Sequence, residues 1–386
     1  MPVILFSCLA NWLSLEINHL DPGVQSFHQP FRIQIMNNPS NKPTHSRRQF
    51  LRTSTHIAGG IVLGGNQLIG MPGIIRHFNK PNSMINGVQI GTITYSFRDL
   101  PDQHAESILK YVVDSGLSAI ELMGDAAESF AGCPDNPVPM SSMMKFWRKR
   151  RDGEKLTDEE QKEWDDLQAQ MQAHSKAVAA WRSRASMDKF TQLAQMYKDA
   201  GVSIYAFKPN AFSNRNTDAE MEYGFKAAKA LGATHVTLEH PGDDAQTLKL
   251  GTLAKKHKIY VAYHGHEQQT PTLWDTALSQ SKYNAMNIDL GHYVAAGNDD
   301  PLKILKEKHD RIRSMHLKDR QTPEHGKGNL PWGEGDTPII AALHLMREQK
   351  YKFPGTIELE YAVPEGSDPV KEVAKCLDYC RNALAS

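Results

Sequence analysis

The sequence predicts an α/β fold, a (β/α)8 TIM barrel with a helical insertion after its second strand. Three observations predict it. From Gly87 onward, eight short apolar or β-branched runs alternate with amphipathic stretches, the pattern of parallel βα units. Together they fill about 300 residues, the size of such a barrel with insertions. No glycine-rich phosphate loop follows any of the runs, as the doubly wound alternative would require.

The expected strands, in order, are Val88–Tyr95, Leu117–Leu122, Val202–Phe207, Thr234–Glu239, Lys258–Tyr263, Ala285–Asp289, Arg313–Leu317 and Gly355–Glu360. Gly116, Gly201 and Gly232 each follow an apolar-periodic segment and precede a strand, where a left-handed residue ends a helix. The irregular stretch is 134–186. It begins proline-rich, then offers helices over Met143–Arg151 and Thr157–Arg184, with Trp164, Leu167, Met171 and Trp181 on one stripe. Thr157-Asp-Glu-Glu160 reads as a capping box. This helical hairpin is expected to be either a solvated decoration or a lid, because βα insertions project from the catalytic face.

The chain has 386 residues, 40% hydrophobic and 23% charged, ordinary for a globular protein. Lys+Arg and Asp+Glu balance at 44 each, so no overall field draws the chain to nucleic acid or an anionic membrane. Of the four cysteines, Cys376 and Cys380 stand one helical turn apart and Cys8 and Cys133 are isolated, so no disulfide framework is expected.

Residues 1–86 read as a leader and linker ahead of the barrel domain, 87–386. Ser46-Arg-Arg-Gln-Phe-Leu51 and the glycine-rich apolar stretch behind it resemble a twin-arginine export signal, which carries folded proteins to the periplasm. Met36 places the arginine pair closer to an N-terminus than Met1 does. The run Ile57–Ile75 is broken by Gly, Asn and Pro and makes a weak spanning helix.

In a barrel of this kind the carboxyl ends of the strands converge on one face. Strand four ends Glu239-His-Pro, strand five His264-Gly-His266-Glu267, strand six Asp289-Leu-Gly-His292, strand seven His316-Leu-Lys318-Asp319, and strand eight carries Glu358-Leu-Glu360-Tyr361. Such groups are costly to bury alone and much less so around a cation. With oxygen and imidazole donors and no thiolate, the set favours Mn²⁺, Mg²⁺, Co²⁺ or Zn²⁺, with Mn²⁺ expected first.

These strand ends, together with Gly333-Glu-Gly-Asp336, resemble the xylose isomerase-like superfamily of sugar phosphate isomerases and epimerases, from Gly87 to the C-terminus. The resemblance implies one divalent metal held by Glu239, Asp289, His316 and Glu360. Glu360 is preferred over Glu358, which shares its parity and would lie one layer deeper. It implies proton transfer next to a carbonyl through an enediolate, with Glu239 and Glu360 shuttling the proton. His292 would act as acid or bond substrate hydroxyls, and Lys318 would stabilise the oxyanion. His264, His266, Arg98, Lys208 and Trp332 are the expected substrate contacts. A sugar isomerase or epimerase is therefore expected. A lyase that cleaves a keto-sugar or 3-keto-glycoside by β-elimination comes second, and a non-catalytic carbohydrate-binding barrel is the reading from another class. Export moves the expected substrate from sugar phosphates toward free or keto sugars. Superfamily members often pair, so a homodimer is expected. The superfamily's three-zinc abasic-site nucleases need further histidines after strands two and three, where this chain has Glu121-Leu-Met-Gly and Phe207-Lys208-Pro. A nicotinamide-dependent aldo-keto barrel would need more than Tyr95 and Lys208.

Overall fold

The computed structural model describes residues 80–386. The expected export signal, the initiator Met36 and the apolar run 57–75 lie outside them. Among the described residues no helix is long and apolar enough to cross a membrane.

Eight parallel strands close into a barrel: β1 (Val88–Ile93), β2 (Ala119–Met123), β3 (Ser203–Lys208), β4 (His235–Glu239), β5 (Tyr260–His264), β6 (Asn284–Asp289), β7 (Ile312–Leu317) and β8 (Gly355–Ile357). Each pairs with its sequence neighbours, and β8 pairs with β1 to close the ring. Both faces of most strands are covered, which is why they read as apolar runs rather than alternating ones. A two-residue strand, Met84–Ile85, pairs antiparallel with the start of β1, and buried Ser83 donates to the Ile90 carbonyl at 2.6 Å. The barrel domain therefore begins a few residues before the expected Gly87. Gly116, Gly201 and Gly232 all have positive φ, between 78° and 83°, as helix-ending residues should.

The helices are α1 (Ala105–Asp114), α2 (Gly124–Phe130), α3 (Met140–Arg151), α4 (Asp158–Arg182), α5 (Met187–Asp199), α6 (Asp218–Ala230), α7 (Asp244–His257), α8 (Asp275–Gln280), α9 (Leu290–Ala295), α10 (Pro301–Lys308), α11 (Ile339–Glu348) and α12 (Pro369–Ala385). The insertion is the α3–α4 hairpin, and Thr157 and Glu160 form the reciprocal capping box. Val138, Met143, Phe146 and Trp164 make a small core of its own, with Leu167 and Met171 against it. Trp181 leaves that stripe and joins the main core, edge-on to Tyr223 at 5.6 Å. The hairpin is tied down by Arg182, buried between Glu128 and Glu220 at 3.0 and 3.2 Å and donating to the Asn210 carbonyl. Those partners follow β2 and β3, so the anchor is on the face where the strands end. Cys133, Cys376 and Cys380 are free thiols.

Two expected strands end earlier than read. The eighth leaves the sheet after Ile357 because other groups take its backbone: the Ser96 hydroxyl accepts from the Leu359 amide and Arg98 donates to the Leu359 carbonyl, at 3.0 and 2.6 Å. The first ends at Ile93 and tightens into a 3₁₀ turn, Thr94–Phe97, which supplies Ser96.

Candidate active site

The barrel interior is polar in layers, as the period of two along a strand dictates. His235, Thr237 and Glu239 follow one another up β4. Ser314 and His316 do so along β7, with Lys318 just past its end, and Thr356 lies on β8, with Glu358 and Glu360 past its end. In the lowest layer His235 meets Ser314 at 3.0 Å and Tyr205 meets Thr356 at 2.7 Å. In the next, the fully buried Glu121 accepts from Thr237 at 2.6 Å and from the Asn287 amide, and contacts His316 Nε2 at 2.9 Å. Above that lies the mouth.

His316 is held at both ring nitrogens, by Glu121 at Nε2 and by Glu358 at Nδ1, each at 2.9 Å. Burial alone would strip its proton, but the two carboxylates hold its pKa up at about 10. Burial likewise opposes the ionisation of Glu121, yet His316 beside it brings that carboxyl down to about 2. Lys318 reaches Asp289, Glu358 and Glu360 at 3.0, 2.8 and 2.7 Å, and despite burial these hold it well above its ordinary value. Lys318 and His316 keep Glu358 well below the usual carboxylate range against its burial. Burial pushes Asp289 up to about 6, with Lys318 pulling the other way.

The Asp289-Leu-Gly-His motif explains how Asp289 is aimed. One oxygen caps α9 by accepting from the His292 amide at 2.7 Å, which leaves the other for the mouth. Gly291 is required there, because a Cβ would meet Lys318 Cγ at 2.4 Å and the Lys318 carbonyl at 2.7 Å. Asp319 is structural: it accepts from the amides of Gly333, Gly335 and Thr337 and so folds the glycine-rich loop after β7.

Across the mouth, β4 stands four strands from β8 in either direction round the ring. Glu239 therefore faces Glu358 and Glu360 from the opposite wall. It accepts from Lys208 at 2.7 Å, and its second oxygen has no hydrogen bond, although His266 Nε2 lies 3.2 Å away. Burial opposes its charge, but Lys208, His266 and His264 outweigh it, and the carboxyl is well below the usual range. Burial keeps His264 and His292 well below the ordinary imidazole value, and lowers His266 too.

One donor atom from each of His264, Asp289, His316 and Glu358 lies within 4.8 Å of the others. Four carboxylates in this region, Glu121, Asp289, Glu358 and Glu360, share His316 and Lys318, and the second Asp289 oxygen makes no hydrogen bond, although Lys318 Nζ lies 3.0 Å from it. The group fits a divalent ion: mixed oxygen and imidazole donors, excess negative charge, and a second carboxylate on the ligating imidazole.

Of the expected metal set, Asp289 and His316 come together here. Glu358, 2.9 Å from His316 Nδ1, is in this group and Glu360 is not, although Lys318 reaches both carboxylates. Glu239 lies on the opposite wall and His264 takes the fourth place. Lys208 and His266 flank Glu239, and His292 lies beside His266 with ring centroids 4.6 Å apart. Arg98 spends its guanidinium on the Tyr95 and Leu359 carbonyls and so fixes the segment between Glu358 and Glu360. Trp332 packs edge-on against Tyr379 of α12, with ring centroids 5.8 Å apart. Sequence reasoning missed Glu121, Asn287 and Arg320. A lone carboxylate inside the apolar run Ala119–Met123 was the available signal for the first.

The family described as xylose isomerase-like TIM barrel matches residues 143–382. An inosose dehydratase of Clostridium tetani is 27% identical over 158 residues, 36% of this chain and 52% of that protein, so the chain spans about half the length of this curated relative. Among solved structures, the probable 3-DHS dehydratase AsbF of Bacillus anthracis is 13% identical, covering 75% of this chain and 97% of that one, with a TM-score of 0.50. A 3-keto-D-glucoside 4-epimerase of E. coli is 10% identical over 76% and 99% of the two chains, TM-score 0.50. D-psicose 3-epimerase of Clostridium cellulolyticum is 10% identical over 77% and 99%, TM-score 0.50. At these identities the solved structures establish the fold alone.

Proposed function

The chain belongs to the xylose isomerase-like TIM barrel family, and from that premise we propose that it is a divalent-metal-dependent sugar isomerase or epimerase. The observation that carries the reading is the four-donor group of His264, Asp289, His316 and Glu358 beneath a mouth with carboxylates on opposite walls. These four residues would hold the metal, Mn²⁺ being the first candidate, and it would supply Lewis acidity next to the reacting carbonyl. Glu239 takes the proton from the carbon beside the carbonyl, on its own face of the substrate. Lys208 fixes the carboxylate's orientation. Glu360, paired with Lys318, serves the other face. Lys318 also brings positive charge to the oxygen on which charge develops. His266 and His292 bond substrate oxygens. The α3–α4 hairpin, anchored through Arg182 to groups that follow β2 and β3, serves as its lid in this reading.

A second reading, a dehydratase or β-eliminating lyase, is supported by the similarity to an inosose dehydratase. The same proton abstraction ends in loss of a β-leaving group, with His292 as the acid. The arginine pair in the leader makes free or keto sugars outside the cytoplasm the first substrates to try. Glu239→Gln separates these enzymes from a binding barrel. It is expected to keep sugar and metal binding and to lose turnover by at least about a hundredfold. Turnover that survives with metal bound removes Glu239 from the proton path.

A further inference from the structure

Three imidazoles, His264, His266 and His292, bring donor atoms within 4.8 Å of one another beside the group already described. A trio of this kind invites reading as a second metal site, since three histidines are a common zinc set. One contact decides otherwise. Arg320 Nη1 lies 2.6 Å from His292 Nδ1. A guanidinium is always protonated and only donates, so Nδ1 must be the acceptor and carry no proton. The neutral ring then carries its proton on Nε2. That atom is buried and has no hydrogen-bond partner. A protonated Nε2 donates to an oxygen and does not bind a metal.

Arg320 is built to hold this arrangement. It is buried, and its remaining donors go to Glu267 at 2.8 Å and to the Lys327 carbonyl at 2.7 and 3.2 Å. Lys327 returns to Glu267 at 3.0 Å. The Arg320 amide donates to Thr337, and its own carbonyl accepts from the Asp336 amide, so backbone and side chain are both fixed. Its Cγ is also among the atoms that a Cβ at position 291 would meet, at 3.2 Å.

We infer that Arg320 is a positioning residue that locks His292 as an Nε2–H donor, which offers His292 to a substrate oxygen and keeps the three histidines from forming a second metal site. That the oxygen belongs to a sugar rests on the function proposed above. The tautomer does not, and the test reads the tautomer without turnover.

The experiment is imidazole ¹⁵N NMR on the full chain, with His292 assigned by difference against His292→Gln. The wild type is expected to show Nε2–H and an unprotonated Nδ1, both before and after saturation with Zn²⁺. Arg320→Lys keeps a donor and the same tautomer, whereas Arg320→Met loses the preference and gains an Nδ1–H population. An Nδ1–H ring in the wild type overturns the proposal, as does loss of the Nε2 proton on zinc binding. Both are read on the native chain, so they stand even if Arg320→Met fails to fold. An unchanged tautomer in a folded Arg320→Met protein overturns it too.

Discussion

His316 has a carboxylate on each ring nitrogen, and that fixes how it answers to protons and cations. In the metal-free protein its pKa is raised from the ordinary 6.5 to about 10. The stability its charge contributes is thus fully present below 6.5 and is lost as pH rises through about 10. A cation at Nδ1 must displace that proton, and below about 6 the one on Asp289 as well. Divalent-ion affinity should therefore climb with pH, by roughly tenfold per unit for each proton displaced. Calorimetry in buffers of different ionisation enthalpy would detect the released proton, and an affinity flat across neutral pH would contradict the account. Glu121 acts through the same ring. Glu121→Gln should weaken metal binding by about 10- to 100-fold, the usual cost of losing a carboxylate behind a ligating imidazole, with the circular dichroism unchanged. Most of the mouth residues were legible as residues, because polar groups at the ends of apolar strands stand out. Their partnerships were not. Which of Glu358 and Glu360 comes up beside His316 depends on where β8 leaves the sheet, and that is set by Ser96 and Arg98, more than 250 positions earlier in the chain.

At the scale of elements, the eight strands were readable because each is a short apolar run between helix-ending glycines and turn residues. Their ends were less so: Thr94–Tyr95 and Glu358–Glu360 look like strand, but the first pair turns into a 3₁₀ helix and the second is held by side-chain hydrogen bonds. The α3–α4 hairpin was readable from its capping box and apolar stripe, but Trp181 belongs to the barrel. The hairpin's small separate core predicts a local response. Phe146→Ala should cost about 3–5 kcal/mol of packing within it. Hydrogen exchange should speed up across 140–182 and stay unchanged in β5–β7. An equal loss of protection in the barrel strands would mean that hairpin and barrel unfold as one. Arg182→Ala is different in kind, because it strands Glu128 and Glu220, two nearly buried carboxylates. The loss should be about 3–5 kcal/mol, read as a lowered midpoint in urea.

For the whole molecule, a ring of parallel strands sets opposed walls of acidic and imidazole groups around one mouth, each carboxylate tethered to a lysine. Composition alone says little of this beyond excluding a strongly basic, nucleic-acid-tracking protein. The convergence comes from strand order and from the period of two, which place residues from five strands within a few ångströms. The central claim is that this mouth removes a proton from carbon beside a carbonyl with a metal ion bound. It is tested most directly by incubating Mn²⁺-loaded protein in D₂O with a panel of keto-sugars and 3-keto-glycosides and reading deuterium at carbon by NMR. The account predicts exchange at a carbon adjacent to the carbonyl of at least one substrate, abolished by chelation and by Glu239→Gln. Metal-loaded, folded protein that exchanges no carbon-bound proton in any of them would contradict it.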